Sequence, residues 1–123
     1  MPPKVAPRDK LPKRSGMINA RTGEVAVIFV SERTGADDVG YAEAASAMER
    51  LAALQPGYRG IDNARGGDGI GITVSYWADD ASAAAWRDDP EHARIRELGR
   101  ARWYNWYRLY VTRVTRGYGW ERA

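Results

Sequence analysis

Residues Asp68 to Trp106 read DGIGITVSYWADDASAAAWRDDPEHARIRELGRARWYNW, and this run decides the fold. Ile70 to Trp77 is an apolar run of strand length bounded by turn residues on both sides. Asp79 or Asp80 can cap the Ala-rich helix that follows and runs to Trp86. Asp89, with Pro90 at the first helical position and Glu91 in the first turn, starts a second helix. There His92, Ile95, Gly99, Trp103 and Trp106 recur at spacings of three or four and form one stripe. The stretch holds all but one of the five tryptophans and the only histidine, so an aromatic pocket is expected here if anywhere. On the strand, Ile70, Ile72, Val74 and Tyr76 are expected beneath helices. Gly71, Thr73, Ser75 and Trp77 form the opposite parity, a mixed polar and aromatic surface suited to lining a cavity.

Upstream, Glu24 to Arg33 is a strand rich in β-branched residues. Val25, Val27 and Phe29 face one way and Ala26, Ile28 and Val30 the other, so both faces are apolar. Asp37 or Asp38 caps the next element, whose Tyr41, Ala44, Ala45, Met48, Leu51 and Ala52 fall at helical spacing; Pro56 requires it to stop by Gln55. Gly57 to Arg65 is a strand with Gly60 marking a bulge. Gly66-Gly67-Asp68-Gly69 then reads as a hairpin turn, since phosphate-cradling loops open a helix and this one opens a strand. Downstream, Leu109 to Trp120 is read as the closing strand, with imperfect alternation at Val111 and Val114. The order strand, helix, strand, strand, helix pair, strand is an α+β pattern on one antiparallel sheet. Helices can cover only one face of such a sheet. The first strand's second apolar face therefore predicts a symmetric homodimer.

Composition removes several classes. A chain of 123 residues makes one domain. With no cysteine and a single histidine, neither a disulfide framework nor a zinc or copper site within one chain is expected, so no metal ligand is assigned. The longest apolar runs fall far short of the ~20 residues a membrane helix needs. The formal charge of +3 is unevenly spread: residues 1–22 carry six basic residues against Asp9, a balance of +5 that leaves the other 101 residues near −2. Those cations lie on a Pro-containing segment poor in apolar residues, read as a flexible arm before a domain at 23–123. They do not form a basic folded face interleaved with aromatics, which argues against nucleic acid as a partner. The arm lacks the continuous apolar core of a secretory signal, and Met17 is an alternative start of the domain. A cytoplasmic protein with a small-molecule partner is the expectation.

Several motifs together resemble the antibiotic-biosynthesis-monooxygenase superfamily. They are Tyr41-x-Glu43-Ala44 with Met48, Leu51-Ala52-x-x-Gln55-Pro56-Gly57-Tyr58, Ala64-Arg65, Asp68-Gly69-x-Gly71-Ile72, Ser75-Tyr76-Trp77, Trp86, Glu91-His92 and Gly99-Arg100-x-x-Trp103-Tyr104. The similarity covers about Glu24 to Trp120 and is greatest to the small bacterial subgroup of haem-degrading or uncharacterised monooxygenases. It implies a ferredoxin-like domain that dimerises into an α+β barrel. Some members oxidise polycyclic aromatic substrates with dioxygen and no metal or flavin. Others bind and degrade haem through an asparagine on the first strand, a tryptophan in the helical segment and a histidine about ten residues beyond it. Trp86 matches that tryptophan; Arg96 stands at the histidine's place and Ser31 near the asparagine's, with His92 four residues before Arg96.

The resemblance and the residue chemistry give a set of site candidates. His92 is a general base, or else a helix-start histidine donating to a nearby carbonyl or carboxylate. Trp77 and Trp86 are walls for a planar substrate, or else core. Arg65 and Arg96 are holders of an oxyanion or carboxylate, or else solvated cations. Ser75 and Tyr76 flank Trp77 as substrate contacts, with Ser75 on the Trp77 side and Tyr76 on the other. Three functions follow: a cofactor-independent monooxygenase of a small aromatic or quinol-like substrate, a haem-degrading monooxygenase, or a non-catalytic dimeric small-ligand-binding domain.

Overall fold

The computed structural model describes residues 21–123. The expected arm, and with it the question of Met17, lies outside the described residues except for Arg21 and Thr22. These form a turn into the sheet, where Arg21 lies over the Tyr76 ring and donates to Glu24 and to the Arg59 carbonyl. The elements are β1 (Val25–Arg33), α1 (Asp38–Ala53), β2 (Tyr58–Arg65), β3 (Ile70–Trp77), α2 (Asp80–Arg87), α3 (Pro90–Leu98), a π-helical turn (Gly99–Trp103) and β4 (Tyr104–Arg113).

The four strands form one sheet in the order β2-β3-β1-β4 with every neighbouring pair antiparallel. Each of the two helical connections joins parallel strands with one strand between them, as in a split βαβ unit, and right-handed crossovers put all helices on the same face. The ferredoxin-like α+β sheet therefore forms as expected, but the expected barrel does not. β2 and β4 each have one neighbour, and the sheet stays open; closure would require every strand to have two.

Local signals explain most boundaries. The Asp37 side chain caps α1 by accepting from the Gly40 amide. Asp79 and Ser82 bond reciprocally at the start of α2. Asp89 accepts from the amides of Glu91 and His92, with Pro90 at the first turn of α3. Gly60, at φ 143°, sits where the β2–β3 register shifts, which is the bulge its position in the strand predicts.

Helices and sheet meet in a core of Val25, Ala52, Trp77, Ala83 and Trp86, with Val27, Met48, Leu51 and Tyr58 packed around it. Each buried tryptophan removes about 150–250 Å² from water, on the order of 4–6 kcal/mol of transfer free energy. Because Val25 pairs with Trp77 and Val27 with Ser75, the Trp77 parity of β3 is the helix-covered one. Ile70, Ile72, Val74 and Tyr76 thus lie on the open face, the reverse of the expectation, and Ile72 is 48% exposed. Both parities of this sheet are apolar enough to be buried; crossover handedness selects between them, and small Gly71, Thr73 and Ser75 leave space for helix side chains.

The end of the domain also departs from the sequence reading. The helical stripe breaks at the π-helical turn, so Trp106 belongs to β4 and not to α3. The closing strand begins at Tyr104 rather than Leu109 and ends at Arg113, and Val114 to Ala123 has no regular structure.

Candidate active site

On the helix-covered side, one group of expected residues forms a stack. Trp77, fully buried on β3, donates its indole N–H to Ser75 Oγ at 3.0 Å. The Trp86 ring lies 6.2 Å from it at 24°, and the His92 ring 4.2 Å from Trp86 at 13°. A planar guest between Trp77 and Trp86 would need about 7 Å, twice the carbon–carbon contact distance, so the two buried rings leave no room for one between them.

His92 Nδ1 is 2.9 Å from the Trp86 carbonyl oxygen. That oxygen only accepts, which puts the proton on Nδ1 and leaves a lone pair on Nε2. Burial lowers the imidazole pKa, and the positive charge of Arg96 adds to this; the Trp86 carbonyl and Asp89 pull the other way. Arg96 itself donates through both terminal nitrogens to the Arg87 carbonyl, at 3.2 Å each, tying α3 to the end of α2.

Arg65 lies in a second group, near the other end of β1. Across the sheet the register sets Arg65, Gly71, Ser31 and Tyr107 in one row. The Arg65 guanidinium lies directly over Gly71, where a Cβ would come within 2.4 Å of its Cζ, so only glycine lets it cross to β1. There it donates to the buried Ser31 Oγ at 3.0 Å and to the Tyr41 hydroxyl at 3.2 Å, and it also bonds the Gly69 carbonyl. Arg33 packs against Tyr41 with its Cζ 3.8 Å from the ring centroid. Phe29, Tyr104 and Tyr107 complete the cluster at centroid distances of 5.3 to 6.1 Å. Burial pushes the Tyr104 phenol well above its ordinary range, with Tyr41 adding to the effect, so it stays protonated. Tyr76 is separate from both groups: on the open face its hydroxyl donates to Asp62, and burial and that bond raise its pKa.

Beside this cluster runs an open groove of about 270 Å³, lined by Arg100, Tyr104, Asn105, Trp106 and Tyr107. The β1–β4 register shifts here, so Asn105 has no residue paired opposite it in the ladder. That extra residue brings Tyr104 and Tyr107, three positions apart, to the same face. Arg100 Nε donates to the Tyr107 hydroxyl at 2.8 Å and its Nη1 to Glu97 at 2.7 Å.

Tyr41, Tyr104, Tyr107, Arg33 and Arg100 escaped assignment from the sequence. Tyr41, Arg100 and Tyr104 stood only among the motifs of the resemblance, and the Gly66–Gly69 hairpin is the signal from which the pairing of Arg65 with Gly71 could have been counted.

Among the described residues no cluster of three or more His, Asp or Glu is arranged to hold a metal ion. The residues do not fit the haem pattern either. Arg96 has no lone pair for iron and is spent on Arg87, and Ser31 at the asparagine's place is buried beneath Arg65.

No family model matches the chain. Solved structures share its fold at low identity. A putative antibiotic biosynthesis monooxygenase from Nitrosomonas europaea aligns with TM-score 0.66 and 11% identity over 75% of this chain and 90% of that one. SnoaB, a cofactor-independent oxygenase from Streptomyces nogalater, aligns with TM-score 0.62 and 18% identity over 75% and 95%. The fold is thus that of the antibiotic-biosynthesis-monooxygenase-like oxygenases. In sequence the chain is 45% identical over 91 residues to the uncharacterized protein YqjZ of Bacillus subtilis (strain 168), spanning 74% of this chain and 79% of that protein. It belongs to the YqjZ family.

Proposed function

We propose that the protein is a cofactor-independent oxygenase of a small, electron-rich aromatic or quinol-like substrate. The observation that supports this most is the neutral His92. With Nδ1–H held by the Trp86 carbonyl and the ring kept uncharged by burial and by Arg96, Nε2 has the free lone pair a proton-abstracting base needs near neutral pH. In the reaction an activated methylene of the substrate becomes a carbonyl. His92 takes one proton, the resulting carbanion reduces dioxygen, one oxygen atom is retained and the other leaves as water. All four electrons come from the substrate, so no external reductant enters the balance. Trp86 presents an edge to the substrate, Trp77 and Ser75 support Trp86 from the sheet, and Arg96 supplies positive charge near the developing anion, while Arg65, near the other end of β1, takes no part in this step.

The same reading takes the working unit as a homodimer. The open sheet face carries Ile72 and Tyr110, 48% and 53% exposed, and a two-fold pairing would remove that surface from water in both copies. No helix among the described residues is long and apolar enough to cross a membrane.

Oxygen uptake tests the reading. Purified protein with chelator is mixed with a panel of hydroxynaphthalenes, naphthohydroquinones and hydroxyanthrones in an oxygen electrode. Catalysed uptake should exceed autoxidation for at least one compound and fall by about 10²–10⁴-fold in His92→Gln, the range general-base catalysis contributes. Uptake no faster than buffer across the panel would rule the function out, and a fully active His92→Gln would remove His92 from it.

A further inference from the structure

We propose that the groove beside β4 is a binding site for a planar aromatic anion, an aromatic carboxylate or phenolate, held by Arg100 and Tyr107. Its walls supply what such a ligand needs. Tyr104, Trp106 and Tyr107 are half-buried, so part of each ring stays open to contact a planar guest. Arg100 brings a guanidinium whose Nε is fixed on the Tyr107 oxygen and whose Nη1 is fixed on Glu97, which holds the fork in place. Among the described residues the hydrogen bonds of Arg100 run through Nε and Nη1, so Nη2 is the donor left to face an anion. The Tyr107 oxygen accepts from Arg100, so its own proton is directed elsewhere; the pair acts as a polarised O–H donor beside a cationic N–H donor. The β4 bulge at Asn105 is what turns Tyr104 and Tyr107 to one side, and Asn105 is itself anchored by donating to Glu32 at 2.7 Å. The groove's volume of about 270 Å³ suits a one- or two-ring compound.

This site does not depend on the oxygenase reading, because binding is measured without turnover. Calorimetry with naphthoate as the probe, and naphthalenemethanol as its uncharged counterpart, gives the test. Naphthoate should bind saturably, more weakly as salt rises, and more tightly than naphthalenemethanol. Arg100→Gln should weaken it by about tenfold or more, with Arg100→Lys between the two because it keeps the charge and loses the fork. Two-dimensional NMR of the unmutated protein supplies a readout that needs no variant: naphthoate should shift the Trp106 indole and Asn105 amide signals and leave those of Trp77 and Trp86 in place. Equal affinity for the two probes, unchanged affinity in a folded Arg100→Gln, no binding at millimolar naphthoate, or shifts confined to Trp77 and Trp86 would each overturn the proposal.

Discussion

His92 and Gly71 show how much a single residue's role depends on what lies across the sheet or across a helix turn. The His92 pKa is lowered in the fold, chiefly by burial, so the unfolded chain takes up the proton more readily. Its contribution to stability is complete above the ordinary imidazole pKa of 6.5 and is lost progressively as pH falls below it. Denaturant melts from pH 8 to pH 5 should show wild type losing more stability over that range than His92→Gln; parallel losses would mean that the imidazole is not shielded. For Gly71, the methyl of Gly71→Ala collides with Arg65 and should cost about 1–3 kcal/mol, most of it relieved in an Arg65→Ala background. Full additivity in that double-mutant cycle would show that Arg65 does not cross the sheet over Gly71. That His92 could donate to a nearby carbonyl or carboxylate was legible in the sequence, because such a bond is local; the structure makes the partner the Trp86 carbonyl. The sequence did not show Arg65 passing over Gly71 to Ser31 and Tyr41, because that network joins three strands and a helix.

At the level of elements, starts were legible and the last transition was not. Asp37, Asp79 and Asp89 each cap within three residues, so their signals sit in the local chain. Asp89→Ala should lower stability by about 1 kcal/mol in urea melts, since it strands the amides of Glu91 and His92; no loss would mean that α3 is held by packing alone. The passage from α3 to β4 is fixed from far away instead. Thr34 donates its amide to the Trp103 carbonyl and its hydroxyl to the Arg102 carbonyl, Arg33 also donates to Trp103, and the Trp103 indole donates to Asp37. Contacts some 70 residues apart in sequence thus end α3 at Leu98, eight residues before the stripe that runs to Trp106 would. They start the strand with a bulge that period-two counting cannot anticipate, and the groove is built at that junction.

For the whole molecule, the α+β order and one-sided helices followed from periodicity, while the choice of covered face did not, since both faces of β1 are apolar. The homodimer proposed here predicts a mass near twice 13.7 kDa by light scattering at micromolar concentration, and Ile72→Glu on the open face should shift it toward the monomer. A single-chain mass for the unmodified protein would leave that face without the partner assigned to it. Oxygen chemistry is tested most directly by running the reaction under ¹⁸O₂ with chelator present and weighing the product. The oxygenase reading predicts a product bearing one labelled oxygen atom, formed at a rate that depends on His92. Product labelled only from water, or no product beyond autoxidation, would contradict it.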